Sequence, residues 1–295
     1  MSGHYRYSFL TKEHYPRIYQ TFKEAFADYY LDMSYLTEEL LFNRAIKNGV
    51  EYESSVGVFD GDKMVGFTLV GIDYWENVLS AFDAGTGIIP GYRGKGIAKQ
   101  MFEFSLPGLK KRGVNKFLLE VLQENEQAVK AYRKTGFKIT REFDCFELTL
   151  KDAILDMNTD NKIPLEIQKV TKKHLEVFKE HVDWHPSWEN SFSSIARIPD
   201  NDEVVMYGAF IENKCVGLLV YYPFLNWIMS LVVKKAYRRK GIATRLIAHF
   251  INSFTYDQSN VKLVNVDRSD SGMLKFLEGI GFKVYTRQFE MEFVF

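Results

Sequence analysis

The stretch DAGTGIIPGYRGKGIA, residues Asp83 to Ala98, decides how the rest of this 295-residue chain is interpreted. A short apolar strand leads into a proline and a glycine turn, and an amphipathic run follows with Ile97, Met101 and Phe104 at helical spacing. The pattern predicts a strand, a turn and a helix. The first N–H groups of a helix lack intrahelical partners and attract anions, so the turn is a candidate phosphate site.

Two glycines of the turn, Gly94 and Gly96, allow close backbone approach because they carry no Cβ, and Arg93 and Lys95 can add charged donors. The stretch does not match the sequence signatures of two known nucleotide-binding loops. A Walker loop needs Ser or Thr after Gly-Lys, where Gly96 stands, and a dinucleotide fingerprint needs glycine where Lys99 stands. An ordinary strand-to-helix turn with solvated basic residues is the structural alternative.

The turn resembles the acyl-CoA signature of the GNAT N-acetyltransferase superfamily, which is Arg or Gln, two residues, Gly, one residue, then Gly or Ala. Arg93, Gly96 and Ala98 supply these positions. The resemblance implies that the amides of the turn hold the CoA pyrophosphate and that the preceding strand lies along the pantetheine arm. It thus implies cofactor-binding roles for Ile88, Ile89, Arg93, Gly94, Lys95, Gly96, Ile97 and Ala98.

A second match to this family lies on the helix predicted for residues 126–135. Asn125, Tyr132 and the pair Gly136-Phe137 match a family pattern of Asn, then Tyr seven residues later, then Gly-Phe. In relatives the tyrosine reaches the CoA sulfur as general acid and the asparagine bonds the donor arm. The resemblance therefore implies a catalytic Tyr132 and a cofactor-binding Asn125, with packing on an apolar helical stripe as the alternative for Tyr132.

The general base is less defined. Many relatives place Glu on the fourth strand, where this chain offers Asp83 and Thr86, so Asp83 is the candidate base. Glu120 on the fifth strand and a relay through water are the alternatives. The resemblance also implies an acceptor wall from the first helical pair and the loop between the third and fourth strands. Its candidate residues are Asp28, Tyr29, Tyr30, Met33, Tyr74 and Trp75.

The second half of the chain repeats the first. Residues 171–174 (TKKH) match residues 11–14 (TKEH) at an offset of 160 (171 minus 11), and residues 238–243 match residues 93–98 at an offset of 145 (238 minus 93). Matches in the same order indicate a tandem duplication. We expect a catalytic domain at residues 1–150, a linker at 151–163 and a second domain at 164–295.

The same offset of 145 places Leu277 at the position of Tyr132 and Asp270 at that of Asn125. The second copy therefore keeps the phosphate turn but lacks the acid and the amide. We expect the first copy to be catalytic and the second to be degenerate, with a vestigial turn as the simplest interpretation and anion binding as the alternative.

The resemblance implies two α/β (α+β) GNAT folds, each with a mixed, mostly antiparallel central sheet flanked by helices. The periodicities of the first copy predict the order β-α-α-β-β-β-α-β-α-β-β. The predicted helices lie at about 12–29, 36–48, 95–112 and 126–135, and two strands are predicted between Phe137 and Leu150.

The composition excludes some function classes. The 38 basic and 38 acidic residues cancel, so no net field favours nucleic acid or an anionic membrane. The chain has two cysteines, Cys145 and Cys215, no apolar run long enough for a bilayer and no signal-peptide core in MSGHYRYSFL. His181 and His185 lie four residues apart without the glutamate of a zinc motif. We expect a cytoplasmic protein without a metal, nucleic-acid or membrane partner, and its oligomeric state stays open.

These expectations combine into one function. The resemblance implies an acetyl-CoA-dependent N-acetyltransferase whose first domain transfers acetyl to a primary amine, on a small molecule or a peptide, by direct attack in a ternary complex. A non-catalytic acyl-CoA-binding or sensing protein is the alternative, and a purely structural interaction domain is the third class.

Overall fold

The computed structural model describes residues 5–155, 163–199, 203–255 and 258–295. They form two compact units, which are called the first unit (residues up to Arg141, together with Phe289–Phe295) and the second unit (Glu142–Gln288). In each unit a mixed, mostly antiparallel sheet is flanked by helices, which confirms the predicted fold class. Within the described ranges, no helix is long and apolar enough to cross a membrane.

The sheet of the first unit begins with antiparallel neighbours and continues with one parallel pair. Its strands are β1 (Arg6–Phe9), β2 (Val56–Asp60), β3 (Lys63–Trp75), β4 (Val78–Ile88) and β5 (Lys116–Leu122), of which β5 runs parallel to β4. Beyond β5 come the part of β12 (Lys283–Val294) from Phe289 onward and the first residues of β6 (Lys138–Thr149). The helices are α1 (Tyr15–Ala25), α2 (Glu38–Lys47), α3 (Ile97–Lys111) and α4 (Glu126–Thr135).

The apolar periodicity of the helices explains where the core of the first unit lies. Ile18, Phe22 and Ala25 are buried on one face of α1, as their spacing predicts. In α3, Met101 and Leu109 are each at most 1% exposed and pack into the sheet. The carboxyl end of β4 and the start of α3 are therefore held by packed elements on both sides.

The second unit has the same arrangement. From Glu142 onward β6 pairs antiparallel with β11 (Asn260–Asp267), and the sheet continues through β10 (Trp227–Val233), β9 (Lys214–Tyr222), β8 (Val205–Ile211) and β7 (Glu166–Lys169). Here β10 runs parallel to β11. The helices are α5 (Phe192–Arg197), α6 (Ile242–Asn252) and α7 (Ser271–Gly279).

Local details repeat between the units, as a duplication predicts. Thr11 and His14 form a capping box, and so do Thr171 and His174. The β4 strand has a bulge just after Asp83, and β10 has its bulge between Ile228 and Ser230, at the corresponding position. The matched sequence signals therefore reflect matched structure.

The structure divides the chain differently from the expected boundary at residue 150. Residues 142–149 belong to the second unit because they pair with β11, and Phe289–Phe295 belong to the first unit. There Phe293 packs on Phe102 and Phe137, and Lys116 Nζ lies 3.0 Å from Glu292 Oε2. In each unit the neighbour of the second parallel strand thus comes from the other half of the sequence, β12 beside β5 and β6 beside β11, which local periodicity does not reveal.

One further expectation differs from the structure, and another lies partly outside the described residues. The two strands predicted between Phe137 and Leu150 are the single strand β6, because the alternation continues without a turn. Of the expected linker 151–163, residues 156–162 lie outside the described part of the chain, and Leu150–Asp152 form a single 3-10 turn.

Candidate active site

The two parallel strands of the first unit part after a short paired stretch. The β4 strand pairs with β5 over three residues only, from Ser80 with Lys116 to Phe82 with Leu118. Asp83 is the next residue on β4, and the bulge that follows it shifts the register with β3. The candidate base Asp83 thus lies where the paired stretch of β4 and β5 ends.

The carboxylate of Asp83 accepts three hydrogen bonds. Gly85 N–H donates to Oδ1 at 3.0 Å, Thr86 Oγ1 donates to Oδ2 at 2.8 Å, and the Tyr132 hydroxyl donates to the same Oδ2 at 3.1 Å. Burial raises the pKa of Asp83 above its ordinary value, although the three bonds act in the opposite direction. A carboxylate of raised pKa accepts a proton more readily than an exposed one.

Tyr132 approaches Asp83 from α4. Its ring packs edge-on against Phe137, with centroids 5.6 Å apart, and it contacts the apolar core beside β5. Burial and then the charge of Asp83 raise the pKa of Tyr132 well above its ordinary value. The packing and the catalytic interpretations are therefore compatible, because the ring is packed while the hydroxyl faces a polar group.

Asn125 and Tyr29 stand beside this pair. Asn125 is the N-cap of α4, where its Oδ1 accepts from Ala128 N–H at 3.2 Å, and its side chain also bonds the Tyr29 hydroxyl. Burial raises the pKa of Tyr29, and the bond from Asn125 partly offsets this. The asparagine that the resemblance assigned to the donor arm thus also orders α4 and an acceptor-wall tyrosine.

The glycine turn has the backbone shape that the sequence predicted. Gly94 and Gly96 both have φ of +76°, a conformation that side-chain-bearing residues rarely adopt. Gly96 is the N-cap of α3, and the first bond of that helix joins Gln100 N to Gly96 O at 3.1 Å. The helix N–H groups before Gln100 thus have no carbonyl partner within the helix. No other atom of the described residues lies within 4 Å of the position that a Gly94 Cβ would take.

The Arg93 side chain is bonded to residues of α1, of the segment after it and of β4. Its guanidinium makes a two-point ion pair with Asp28 at 2.8 Å and donates to Ala25 O at 2.7 Å, while Nε donates to Ile88 O at 3.1 Å. Through its hydrogen bond, Arg93 also lowers the pKa of Asp28. The Arg93 guanidinium therefore ties β4 to the end of α1.

The remaining turn and strand residues fall into two groups. Ile89 and Ile97 are buried in the core and can offer only backbone groups, whereas Ile88 and Ala98 are partly exposed. Lys95 is exposed, with Nζ 3.4 Å from the Tyr5 hydroxyl and 4.9 Å from the centre of the Tyr92 ring.

The candidate acceptor residues differ in their contacts and in their exposure. Tyr29 joins the cluster around Asp83, and Asp28 is engaged by Arg93. Tyr30 and Tyr74 are 59% and 69% exposed, Met33 is partly buried, and Trp75 is 4% exposed. Glu120, the alternative base, is partly buried on β5.

The second unit keeps the shape of the glycine turn but has apolar residues at the positions of Asp83 and Tyr132. Gly241, the N-cap of α6, and Arg239, which replaces Gly94, have φ of 72° and 61°, so an arginine adopts the left-handed conformation. Arg238 donates to Val233 O at 3.0 Å and pairs with Asp183, as Arg93 does with its partners. The counterparts of Asp83 and Tyr132 are Ile228 and Leu277, both 0% exposed and apolar.

No group of three or more His, Cys, Asp and Glu side chains in the described ranges is arranged to hold a metal ion. His185 Nδ1 lies 3.1 Å from Pro186 O, and His181 O accepts from Arg238.

The parting strands, the glycine turn and the repeat define a tandem fold of the GNAT type. The sequence model of the Acetyltransferase (GNAT) family matches residues 15–137 and again residues 169–282, and the chain belongs to this family. The family and the tandem architecture predicted from the sequence are thereby confirmed.

Two named acetyltransferases share part of the sequence. The streptothricin acetyltransferase of Streptomyces lavendulae is 36% identical over 78 residues, which are 26% of this chain and 40% of that protein. N-alpha-acetyltransferase 30 of Schizosaccharomyces pombe is 33% identical over 86 residues, which are 29% of this chain and 57% of that protein. The matches thus span about half the length of each relative.

Solved structures resemble the whole chain. A tandem GNAT protein from the clavulanic acid biosynthesis pathway has a TM-score of 0.71 at 11% identity, with 98% of both chains covered. A GCN5-related N-acetyltransferase from Sphaerobacter thermophilus has a TM-score of 0.69 at 16% identity, covering 98% of this chain and 95% of that one. At such low identity the likeness establishes the fold.

Proposed function

We propose that the first unit transfers an acetyl group from acetyl-CoA to a primary amine by direct attack in a ternary complex. The observation that carries this proposal is the Tyr132–Asp83 pair, which stands at the opening between β4 and β5. A protonated phenol and a carboxylate of raised pKa in contact supply an acid and a base for one reaction.

The turn before α3 fits the diphosphate of CoA. Gly94 and Gly96 present successive backbone N–H groups, the helix dipole adds positive potential, and the space beside Gly94 would admit an oxygen. Exposed backbone of β4 up to Ile89 would lie along the pantetheine arm. The proposed binding set remains Ile88, Ile89, Arg93, Gly94, Lys95, Gly96, Ile97, Ala98 and Asn125, with Arg93 acting by holding the turn.

The two catalytic groups have separate duties. Asp83 removes a proton from the amine that attacks the thioester carbonyl, and Thr86 and Gly85 hold the carboxylate in place. Tyr132 protonates the departing thiolate, for which its raised pKa keeps it in the phenol form at neutral pH. Because Asp83 and Tyr132 are in contact, the proton that Asp83 takes can restore the phenol.

The relatives support an amine acceptor without identifying it. One is named for streptothricin and the other for an N-alpha position, so a small molecule and a peptide both stay within the proposal. Balanced charge and two free cysteines support a cytoplasmic location and give no support to nucleic acid or a membrane as partners.

Release of free thiol from acetyl-CoA across a panel of primary amines tests the proposal. Turnover by Tyr132→Phe should fall by roughly 100-fold or more, whereas its acetyl-CoA affinity measured by calorimetry should change little. Tyr221→Phe is the matched control, because it removes a tyrosine hydroxyl bonded to Asn226 in the second unit. Unchanged turnover in Tyr132→Phe would return this residue to packing.

The alternative is a protein that binds acyl-CoA without transfer. The second unit gives it a specific basis, because that unit keeps the turn while Leu277 replaces the acid. Thermal stabilisation of the whole chain by CoA, with no thiol released on any amine, would favour this function. Absence of any stabilisation by CoA would contradict both functions.

A further inference from the structure

Two threonines of the first unit, Thr68 and Thr86, face each other across the β3–β4 pair beside Asp83. Their hydroxyl oxygens are 3.0 Å apart, and Thr86 Oγ1 donates to Asp83 Oδ2 at 2.8 Å. Thr68 is 7% exposed, so its hydroxyl needs partners within the protein. Thr68, Thr86 and Asp83 thus form a continuous line of hydrogen bonds, which is called the hydroxyl chain.

The bulge in β4 brings Asp83 and Thr86 onto one face of the sheet. Side chains along a strand alternate between the two faces, so residues three positions apart should point to opposite sides. The register of β4 against β3 skips Ala84, which is the extra residue of the bulge. Because of this extra residue, the carboxylate and the Thr86 hydroxyl can meet.

The direction of each bond in the hydroxyl chain follows from the number of protons. A threonine hydroxyl has one proton to donate. Thr86 gives its proton to Asp83, so Thr68 must be the donor in the contact between the two threonines. Another acceptor within reach of Thr68 is the Met101 sulfur at 3.9 Å, which accepts only weakly. An ionised Asp83 therefore orients both hydroxyl protons toward itself, and each bond strengthens the next.

The second unit indicates that the fold does not require these hydroxyls. Its β9 strand has Leu219 where β3 has Thr68, two residues after the matched glycine. Leu219 pairs with Leu231 on β10, and both side chains are buried. In the same unit Ile228 stands at the position of the carboxylate. The threonine pair and the carboxylate are thus replaced together in the copy without an acid or a base.

We propose that Thr68 is a positioning residue for proton transfer at Asp83. By donating to Thr86, it holds the Thr86 proton on the carboxylate and favours the ionised form, which is the form that takes a proton from the amine. The hydroxyl chain itself passes no proton on, because each hydroxyl keeps its own. The inference rests on the proposed function for the role of Asp83 in the reaction, whereas the proton affinity of Asp83 is measurable without turnover.

The charged and titratable groups around Asp83 come from several elements. Tyr132 of α4 donates to the carboxylate, and Tyr29 follows α1. Burial raises the pKa of both tyrosines, so they stay neutral where a carboxyl group titrates. Arg44 of α2 acts on Tyr29 and has a constant charge. The carboxyl group of β5 belongs to Glu120, and a Glu120→Gln background separates its titration from that of Asp83.

Carbon-13 NMR of the full chain, labelled at its aspartate carboxyl groups, measures the titration of Asp83, whose signal is the one lost in Asp83→Asn. Thr68→Val removes the hydroxyl and keeps the volume, so the proton affinity of Asp83 should rise by roughly threefold to tenfold. Thr68→Ser keeps a hydroxyl and should titrate like the unmodified chain. The matched control is Thr21→Val, because Thr21 is 3% exposed and donates to Met64 O at 3.2 Å, outside the hydroxyl chain.

A double variant tests whether Thr68 acts through Thr86. Thr86→Val removes the direct bond to the carboxylate and should raise the proton affinity more than Thr68→Val does. Adding Thr68→Val to Thr86→Val should then change little, whereas two independent effects would add. Urea unfolding checks each variant, and Thr68→Ala replaces Thr68→Val if the latter does not fold.

An unmoved Asp83 titration in Thr68→Val, or full additivity in the double variant, would overturn the inference. A shift of the same size in Thr68→Ser or Thr21→Val would also contradict it, because the hydroxyl of Thr68 would then not be the cause. With an amine that is acetylated, the acid side of the pH–rate profile of Thr68→Val should move to higher pH by the same factor, at unchanged acetyl-CoA affinity. Absence of thiol release on every amine counts against the proposed function alone, since the carboxyl titration needs no turnover.

Discussion

Replacement of Arg93 by alanine tests whether the signature arginine builds the turn or contacts the ligand. Alanine removes the bonds to Ala25 O and Ile88 O, which join α1 to the end of β4. Each such bond contributes about 1 kcal/mol, so the free energy of unfolding of the first unit should fall by about 2 kcal/mol. The exposed pair with Asp28 adds little because water and salt screen it.

For a unit of this size the loss corresponds to a decrease in Tm of about 4 to 8 °C. Arg93→Lys should lose a similar amount, because an ammonium cannot reach these separate acceptors at once. Calorimetry of unfolding and acetyl-CoA titration are made on the same samples. Arg112→Ala is the matched control, since Arg112 bonds Glu51 and Ser54 away from the turn.

An organising arginine predicts that the alanine and lysine variants lose stability together and lose acetyl-CoA affinity together. Arg112→Ala should lose stability and keep its affinity. The reasoning is refuted if Arg93→Ala keeps its Tm but no longer binds acetyl-CoA while Arg93→Lys binds it well. That result would mean that the positive charge itself holds the phosphate.

Three further predictions concern the cleft and the turns. Asp83→Asn should lower turnover by roughly 100-fold, and the activity of the unmodified enzyme should decline on acidification at a higher pH than an exposed aspartate would give, as pH–rate profiles will show. Because the folded-state pKa of Asp83 is raised, its contribution to stability is greatest below the unfolded-state pKa and is lost as pH rises through the folded value; urea titrations of Asp83→Asn should lack this decline. Gly94→Ala should lower the free energy of unfolding by about 1 kcal/mol, and Arg239→Gly should raise it by up to a similar amount, because both positions have positive φ. Equal stability of these two turn variants and the unmodified chain in urea would contradict the strain argument.

Much of the first unit follows from local pattern. The helix α4 has the predicted bounds, and the turn before α3 lies where Gly94 and Gly96 predicted it. These features depend on residues close together in the sequence. A short segment of sequence is therefore enough to predict them.

The interactions that fix the site connect distant residues. Arg93 and Asp28 are 65 positions apart, and Tyr132 and Asp83 are 49 apart. Their types were noted in the sequence, but only the fold shows which of them meet. Thr86 is a similar case, since it was noted on β4 without a role and proves to hold the carboxylate.

The sequence did not indicate one set of hydrogen-bonded polar residues in the second unit. Ser187 and Asn190 lie in a segment whose letters resemble an ordinary turn, and no spacing rule relates them to Asn265 on β11. An unpaired Asn190 Oδ1 is a property of three-dimensional packing. Subtracting 145 from each position of the second copy shows which residues of the first copy are replaced, but not which contacts the new residues make.

The place of Phe289–Phe295 in the first unit has a consequence for biosynthesis. A ribosome makes the N-terminal strands first, yet β5 gains its second neighbour only after β12 is synthesised, and Phe295 N–H bonds Asn115 O at 3.0 Å. The nascent chain must therefore carry an incomplete first sheet, with an open strand edge, through the whole translation of the second half. The portion that begins folding earliest is the portion completed last.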